Sequence, residues 1–130
     1  MIVDTSAIVA ILRNEQDADE LAAAIESAEL RRVSAATYVE AAIVIDSNRN
    51  PLLSNLLDSF LVRSLIDIEP VTVEQARIAR EAYRDFGKGR HRAGLNLGDC
   101  FAYALAKEKG EPLLFKGDDF RSTDVEATEY

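Results

Sequence analysis

The chain opens Met1-Ile2-Val3-Asp4-Thr5-Ser6-Ala7-Ile8-Val9-Ala10-Ile11-Leu12. Ile2-Val3 reads as a very short strand. It is too apolar to alternate between a wet and a dry face, so both faces must be buried. Asp4-Thr5-Ser6 supplies the side-chain acceptors that start a helix, and the apolar run behind them carries it to about Arg13. Asp4 stands in this stretch with no Lys or Arg in the run.

The same alternation continues outward. Asp17 to Ala28 is rich in alanine and glutamate, and Leu21, Ala24, Ile25 and Ala28 fall at helical spacing. Arg31 to Ser34 predicts a second short strand, and Ser34 or Ala35 opens a helix that carries Glu40 to about Asn48. After Asn50, Pro51 suits a first helical position. Leu52, Leu53, Leu56, Leu57, Phe60 and Leu61 make a broad helical stripe, a core face or a groove for a partner helix. Ile66 to Val71 is a strand, with Pro70 pointing to an edge or an end. Thr72 and Gln75 stand in capping-box register for a helix through Tyr83 that ends before Gly87. Gly87 to Gly98 is a glycine-rich loop. Asp99 opens the next helix, which Lys107, Lys109 and Gly110 close. Pro112 to Phe115 is a last core strand, Gly117-Asp118-Asp119-Phe120 a turn, and the tail is polar. Short apolar strands alternating with helices imply an α/β fold, with a central short parallel sheet flanked by helices on both faces. Residues 1–130 make one domain.

Composition sets limits. Apolar content of 48% and charged content of 29% are ordinary for a folded domain. No apolar run reaches the ~20 residues that cross a bilayer, so no membrane role is expected. The N-terminus lacks a basic segment and a small-residue cleavage site, so no secretory signal is expected. The single cysteine, Cys100, rules out an internal disulfide and fits a reducing cytoplasm, the expected location. With no histidine placed to activate it, Cys100 reads as a small core residue rather than a nucleophile. His91 is the only histidine, which leaves no histidine-based metal site. A net charge of −8 taken alone argues against a nucleic-acid partner. The charge is uneven, however. Glu15, Asp17, Asp19, Glu20, Glu26 and Glu29 cluster with no base among them, whereas Arg84, Lys88, Arg90, His91 and Arg92 face only Asp85. Such a basic loop steers a phosphate backbone over about a Debye length, roughly 8 Å at physiological salt.

Two further acids repeat the pattern of Asp4. Glu40 separates Tyr38-Val39 from Ala41-Ala42-Ile43-Val44-Ile45, and Asp99 precedes Cys100-Phe101-Ala102-Tyr103-Ala104-Leu105-Ala106. An unpaired carboxylate taken out of water costs several kcal/mol. Three are expected only if something compensates them together, and a divalent cation is the cheapest candidate. Oxygen ligands favour Mg²⁺ or Mn²⁺ over Zn²⁺. Asp4 falls at the carboxyl end of the first strand, and Asp118 and Asp119 fall past the end of the last, where α/β sheets form their sites. With Glu40 and Asp99 on helices, acids from four separate segments can converge on one cleft. A cleft of this type supports metal-dependent phosphodiester hydrolysis, in which one carboxylate accepts the proton of the attacking water.

Met1 to Ala7, Tyr38-Val39-Glu40, Leu97 to Ala106 and Leu113 to Phe120 together resemble a PIN domain, and more narrowly the VapC-type toxins of bacterial type II toxin–antitoxin pairs. The loop from Tyr83 to Cys100 is similar to one branch of those toxins. The resemblance implies a Mg²⁺- or Mn²⁺-dependent endoribonuclease acting on RNA. It further implies neutralisation by a VapB-like antitoxin, a homodimer, and a heterotetramer or larger complex with the antitoxin. It implies Asp4 and Asp99 as direct metal ligands and Glu40 as ligand or water activator. Many PIN domains place a fourth acid three residues before the aromatic residue that is Phe120 here, but that position is Gly117. Asp118 and Asp119 are the nearest replacements, and Asp119 is favoured. The catalytic set is then Asp4, Glu40, Asp99 and Asp119; Glu40, Asp118 and Asp119 are further metal candidates, directly or through water. Ser6, Lys88, Arg90, Arg92, Asn96 and Lys116 are candidate RNA contacts.

Two other functions compete. A catalytically inactive PIN-like module would only bind antitoxin or RNA. A phosphotransfer protein with Asp4 as nucleophile would want a second aspartate two residues on, where Ser6 stands.

Overall fold

The computed structural model describes residues 1–47 and 49–130. Four strands, β1 (Ile2–Val3), β2 (Arg32–Ser34), β3 (Asp67–Glu69) and β4 (Leu113–Leu114), form one sheet in the order β3-β2-β1-β4, and every pairing is parallel. Six helices connect and cover it: α1 (Thr5–Leu12), α2 (Ala18–Ser27), α3 (Ala35–Asp46), α4 (Pro51–Arg63), α5 (Val73–Phe86) and α6 (Leu97–Lys109). The expected end of α3 near Asn48 lies outside the described residues.

The two-residue period of a strand divides the core. Ile2 and Leu113 pack with Ala79, Ala82 and Leu105, on the side of α5 and α6. Their neighbours Val3 and Leu114, with Val33, pack instead with Ile8, Leu21, Ala41 and Leu57, on the side of α1 to α4. Sequential apolar pairs therefore serve two cores, as the missing alternation required. β3 is an edge strand. The Leu52 to Leu61 stripe is divided, with Leu57 and Leu61 buried and Leu52 and Leu56 exposed.

Two local expectations change. Thr72 accepts the Gln75 backbone N–H at 3.1 Å, but the Gln75 side chain donates to Glu108 Oε1 at 3.2 Å instead of reaching back. The capping box belongs to α6: Asn96 accepts from the Asp99 N–H at 2.9 Å, and Asp99 Oδ2 accepts from the Asn96 N–H at 3.0 Å. α6 thus starts at Leu97, and Asp99 is its third residue. The polar tail is also engaged. Leu113 donates to the Glu126 carbonyl at 2.8 Å and accepts from the Thr128 N–H at 2.9 Å, so the chain end runs along β4.

Candidate metal centre at the sheet's carboxyl end

Asp4 leaves β1 and caps α1. Its Oδ2 accepts from the Ser6 N–H at 3.0 Å and the Ser6 hydroxyl at 2.6 Å. Ser6 Oγ in turn accepts from the Lys116 N–H at 2.9 Å, and the Asp4 N–H donates to the Leu114 carbonyl at 2.9 Å, which ties the carboxyl ends of β1 and β4 together. Asp4 is only 3% exposed, and its Oδ1 has no hydrogen-bond partner among the described residues. Burial drives its carboxyl pKa upward; the two Ser6 bonds oppose this and the charge of Glu40 adds to it.

Ser34 ends β2 and caps α3 by accepting from the Ala36 N–H at 3.2 Å, which sets the helix that carries Glu40. Glu40 Oε1 accepts from the Thr5 hydroxyl. The remainder of that carboxylate lies where a β-carbon on Gly98 would have to stand. Gly98 immediately precedes Asp99, so Glu40 reaches the amino end of α6 only because residue 98 has no side chain.

Asp99 is 8% exposed. Its carboxyl is raised to about 7, chiefly by burial; the Asn96 N–H opposes this, and the charges of Asp4, Asp119 and Glu40 push further upward. The four expected acids therefore act on one another across β1, α3, α6 and the turn after β4. Asp119 is exposed and opens a short 3₁₀ turn (Asp119–Ser122), anchored by buried Phe120 against Phe115 at 5.1 Å between ring centres. Asp118 points to solvent, 95% exposed, and pairs with Arg121 at 3.3 Å. Gly117 has φ +97°, a backbone region that an acid would occupy only with strain.

No Lys or Arg forms an ion pair with Asp4, Glu40, Asp99 or Asp119 among the described residues. Several acids elsewhere are paired. Glu111, before β4, meets Arg32 at 2.8 Å, and Asp124 meets Lys107 at 3.1 Å. Lys116, just past β4, holds Glu15 and Asp17, each at 2.8 Å. Its ammonium ties the α1–α2 turn to the end of β4. The Ser6 hydroxyl donates to Asp4, and the Asn96 side chain accepts from the Asp99 N–H. Lys88 and Arg90 line a groove beside α6 with Asn96 and Leu97, whereas the exposed Arg92 is not part of its wall.

No three His, Cys, Asp or Glu side chains among the described residues stand close enough to hold one ion as they are. The donor set nonetheless suits a hard cation: all donors are oxygen, no base neutralises them, and a buried Asp4 oxygen lacks a partner.

A stability prediction follows from the raised carboxyls. A folded pKa above the unfolded one means that the fold favours the protonated acid, so the contribution is full below about pH 4 and is lost as pH rises toward 7. Metal-free protein should therefore melt at progressively lower temperature from pH 5 to pH 8. Asp99→Asn should flatten that slope and gain on the order of 2–4 kcal/mol at the alkaline end. Parallel slopes for the two proteins in calorimetry would contradict it.

The chain matches the PIN domain family over residues 1–126. It is 56% identical over 127 residues to Ribonuclease VapC28 of Mycobacterium tuberculosis, covering 97% of this chain and 96% of that one. The chain belongs to the PIN domain family. Solved structures agree on its fold. VapC20 of M. tuberculosis, a sarcin–ricin loop cleaving toxin, superposes with a TM-score of 0.78 at 16% identity, covering 98% of this PIN domain and 97% of that chain. A toxin–antitoxin complex from Klebsiella pneumoniae gives 0.72 at 16% identity, covering 99% and 97%. No helix among the described residues of this PIN domain is long and apolar enough to cross a membrane.

Proposed function

We propose that this PIN domain is the toxin of a type II toxin–antitoxin pair, a metal-dependent endoribonuclease that hydrolyses RNA phosphodiester bonds. The observation that carries the reading is the buried Asp4–Asp99 cluster with no basic partner, in a chain more than half identical to a named ribonuclease. Asp4 and Asp99 would hold Mg²⁺ or Mn²⁺, with Glu40 and Asp119 completing the set directly or through water. When bound, the ion supplies a more acidic water and offsets charge on the phosphate.

The remaining roles belong to the chain. Ser6 fixes one oxygen of Asp4 and leaves the other open. The Asn96 N–H fixes Asp99 Oδ2 at the first turn of α6. Thr5 donates to Glu40, leaving its second oxygen to take the proton from the attacking water. The amino end of α6 favours negative charge, which lowers the cost of gathering acids there. A VapB-like antitoxin as inhibitor, a homodimer, a heterotetramer or larger complex with the antitoxin, and a cytoplasmic setting belong to the same reading. The likeness to a toxin–antitoxin complex supports the antitoxin.

The test is RNA cleavage by purified protein in Mn²⁺ against EDTA. Cleavage should appear only with the ion. Full cleavage in EDTA would remove the metal from the account. Well-folded protein that cuts no RNA in Mn²⁺ would leave the inactive binding module as the function. Mn²⁺ should also raise the melting temperature, since an ion at about 100 times its Kd adds about 2.7 kcal/mol. That rise should vanish in Asp99→Asn.

A further inference from the structure

Four buried side-chain oxygens have no hydrogen-bond partner among the described residues: Asp4 Oδ1, Thr37 Oγ1, Gln75 Oε1 and Thr128 Oγ1. Two of them stand apart from the acids. Gln75 lies on α5 beside Glu108, near the carboxyl end of α6, and Thr128 lies in the tail alongside β4. The other two meet at Thr5. Asp4 directly precedes it, and the Thr5 hydroxyl stands 3.5 Å from the Thr37 main-chain carbonyl. The same hydroxyl donates to Glu40 Oε1.

Thr37 is 1% exposed and sits in the first turn of α3, three residues before Glu40. Side chains three apart on a helix share a face, so Thr37 lies on the face that carries Glu40. Helical side chains also lean toward the amino end of their helix. The amino end of α3 follows directly on the carboxyl end of β2, and β2 runs parallel beside β1, which ends at Asp4. Thr37 is thereby directed to the end of the sheet where the acids gather. A threonine in a helix often bonds back to a carbonyl of the preceding turn. The Thr37 hydroxyl makes no such bond. A buried hydroxyl without a partner bears the full loss of its hydration, and a valine of nearly the same shape would avoid it. The hydroxyl thus fits a partner from outside the chain, and the acids supply the candidate. A hard cation held by one or two carboxylates keeps several of its waters. Groups that hydrogen-bond the inner ligands of a metal tune its binding.

We infer that Thr37 is a positioning residue of the metal centre, its hydroxyl taking a hydrogen bond with a water carried by the ion that Asp4 and Asp99 hold. The inference rests on the metal-dependent reading above and adds to it a residue that acts through water.

The test is a Mn²⁺ titration without RNA, read by the electron paramagnetic resonance of the free ion, beside the melting temperature of each protein in EDTA. Thr37→Val should weaken Mn²⁺ binding by about tenfold, the lower end of the effect of such outer partners. Thr37→Ser keeps the hydroxyl and should bind as wild type does. In EDTA Thr37→Val should melt no lower than wild type, because an unpaired hydroxyl has been removed. Thr37→Ala should lose the same Mn²⁺ affinity although its cavity lowers the melting temperature, which separates the hydroxyl from the fit of the valine. Unchanged Mn²⁺ affinity in Thr37→Val and Thr37→Ala would overturn the inference and leave the metal centre in place. A lower melting temperature of Thr37→Val in EDTA, with Thr37→Ser stable, would overturn it by making the hydroxyl part of the metal-free fold. Wild type that takes up no Mn²⁺, or Asp99→Asn that takes it up as wild type does, would remove the metal reading and Thr37's role with it. Wild type that binds Mn²⁺ with this dependence on Thr37 yet cuts no RNA would end the ribonuclease reading alone.

Discussion

Asp4→Asn and Asp99→Asn are each expected to abolish RNA cleavage, and growth arrest on expression, in a protein that still folds. Each substitution keeps the shape and removes one charge from a cluster that has no base to balance it. The charge stabilisation supplied by a bound ion amounts to several kcal/mol, and about 1.4 kcal/mol is tenfold in rate, so the loss should be on the order of 10³-fold or more. Folding should survive for separate reasons at the two sites. An asparagine at residue 4 still caps α1, and one at residue 99 still offers an oxygen to the Asn96 N–H. The measurement is the rate of RNA cleavage in Mn²⁺ beside the melting temperature in EDTA. Wild-type cleavage by either variant would refute the metal assignment.

Gly98→Ala is expected to be the next most damaging change, although residue 98 has no functional group. Its β-carbon would take the place of the Glu40 carboxylate, which must then move away from Asp99. A displacement of roughly 1 Å in a reacting group costs about 10²-fold. The cost in stability should be small, because the displaced atoms are the end of a flexible side chain. A cycle of Gly98→Ala, Glu40→Gln and the double variant isolates the cause. If glycine acts through Glu40, the double variant should be no slower than Glu40→Gln alone. Additive losses would show that residue 98 matters for another reason, and an unimpaired Gly98→Ala would remove Glu40 from the mechanism.

Much of this arrangement was legible in the chain because it is local. Ile2-Val3 followed by Asp4 states a buried strand, its end and a helix cap within three residues. Pro70 marked the edge strand for the same reason, since a missing donor is a property of one residue. What could not be read are relations between distant residues. Nothing near Gly98 says that Glu40 lies against it. Asp118 and Asp119 are equal as letters, and the structure exposes both, with Asp118 paired to Arg121. Lys116 looked like a free cation because Glu15 and Asp17, a hundred residues earlier, are not visible as its partners.

The strip of chain from Glu126 to Thr128 alongside β4 has a consequence of another kind. A parallel sheet of four short strands ends in two rows of backbone donors and acceptors that invite a stranger's strand. On one border the chain's own end fills that row at Leu113. On the other, β3 spans only Asp67 to Glu69, carries a carboxylate at each end and is followed by Pro70. One border is filled and the other is short, charged and ended by a proline, so the same few residues that finish the fold also disfavour extension of the sheet by a passing strand.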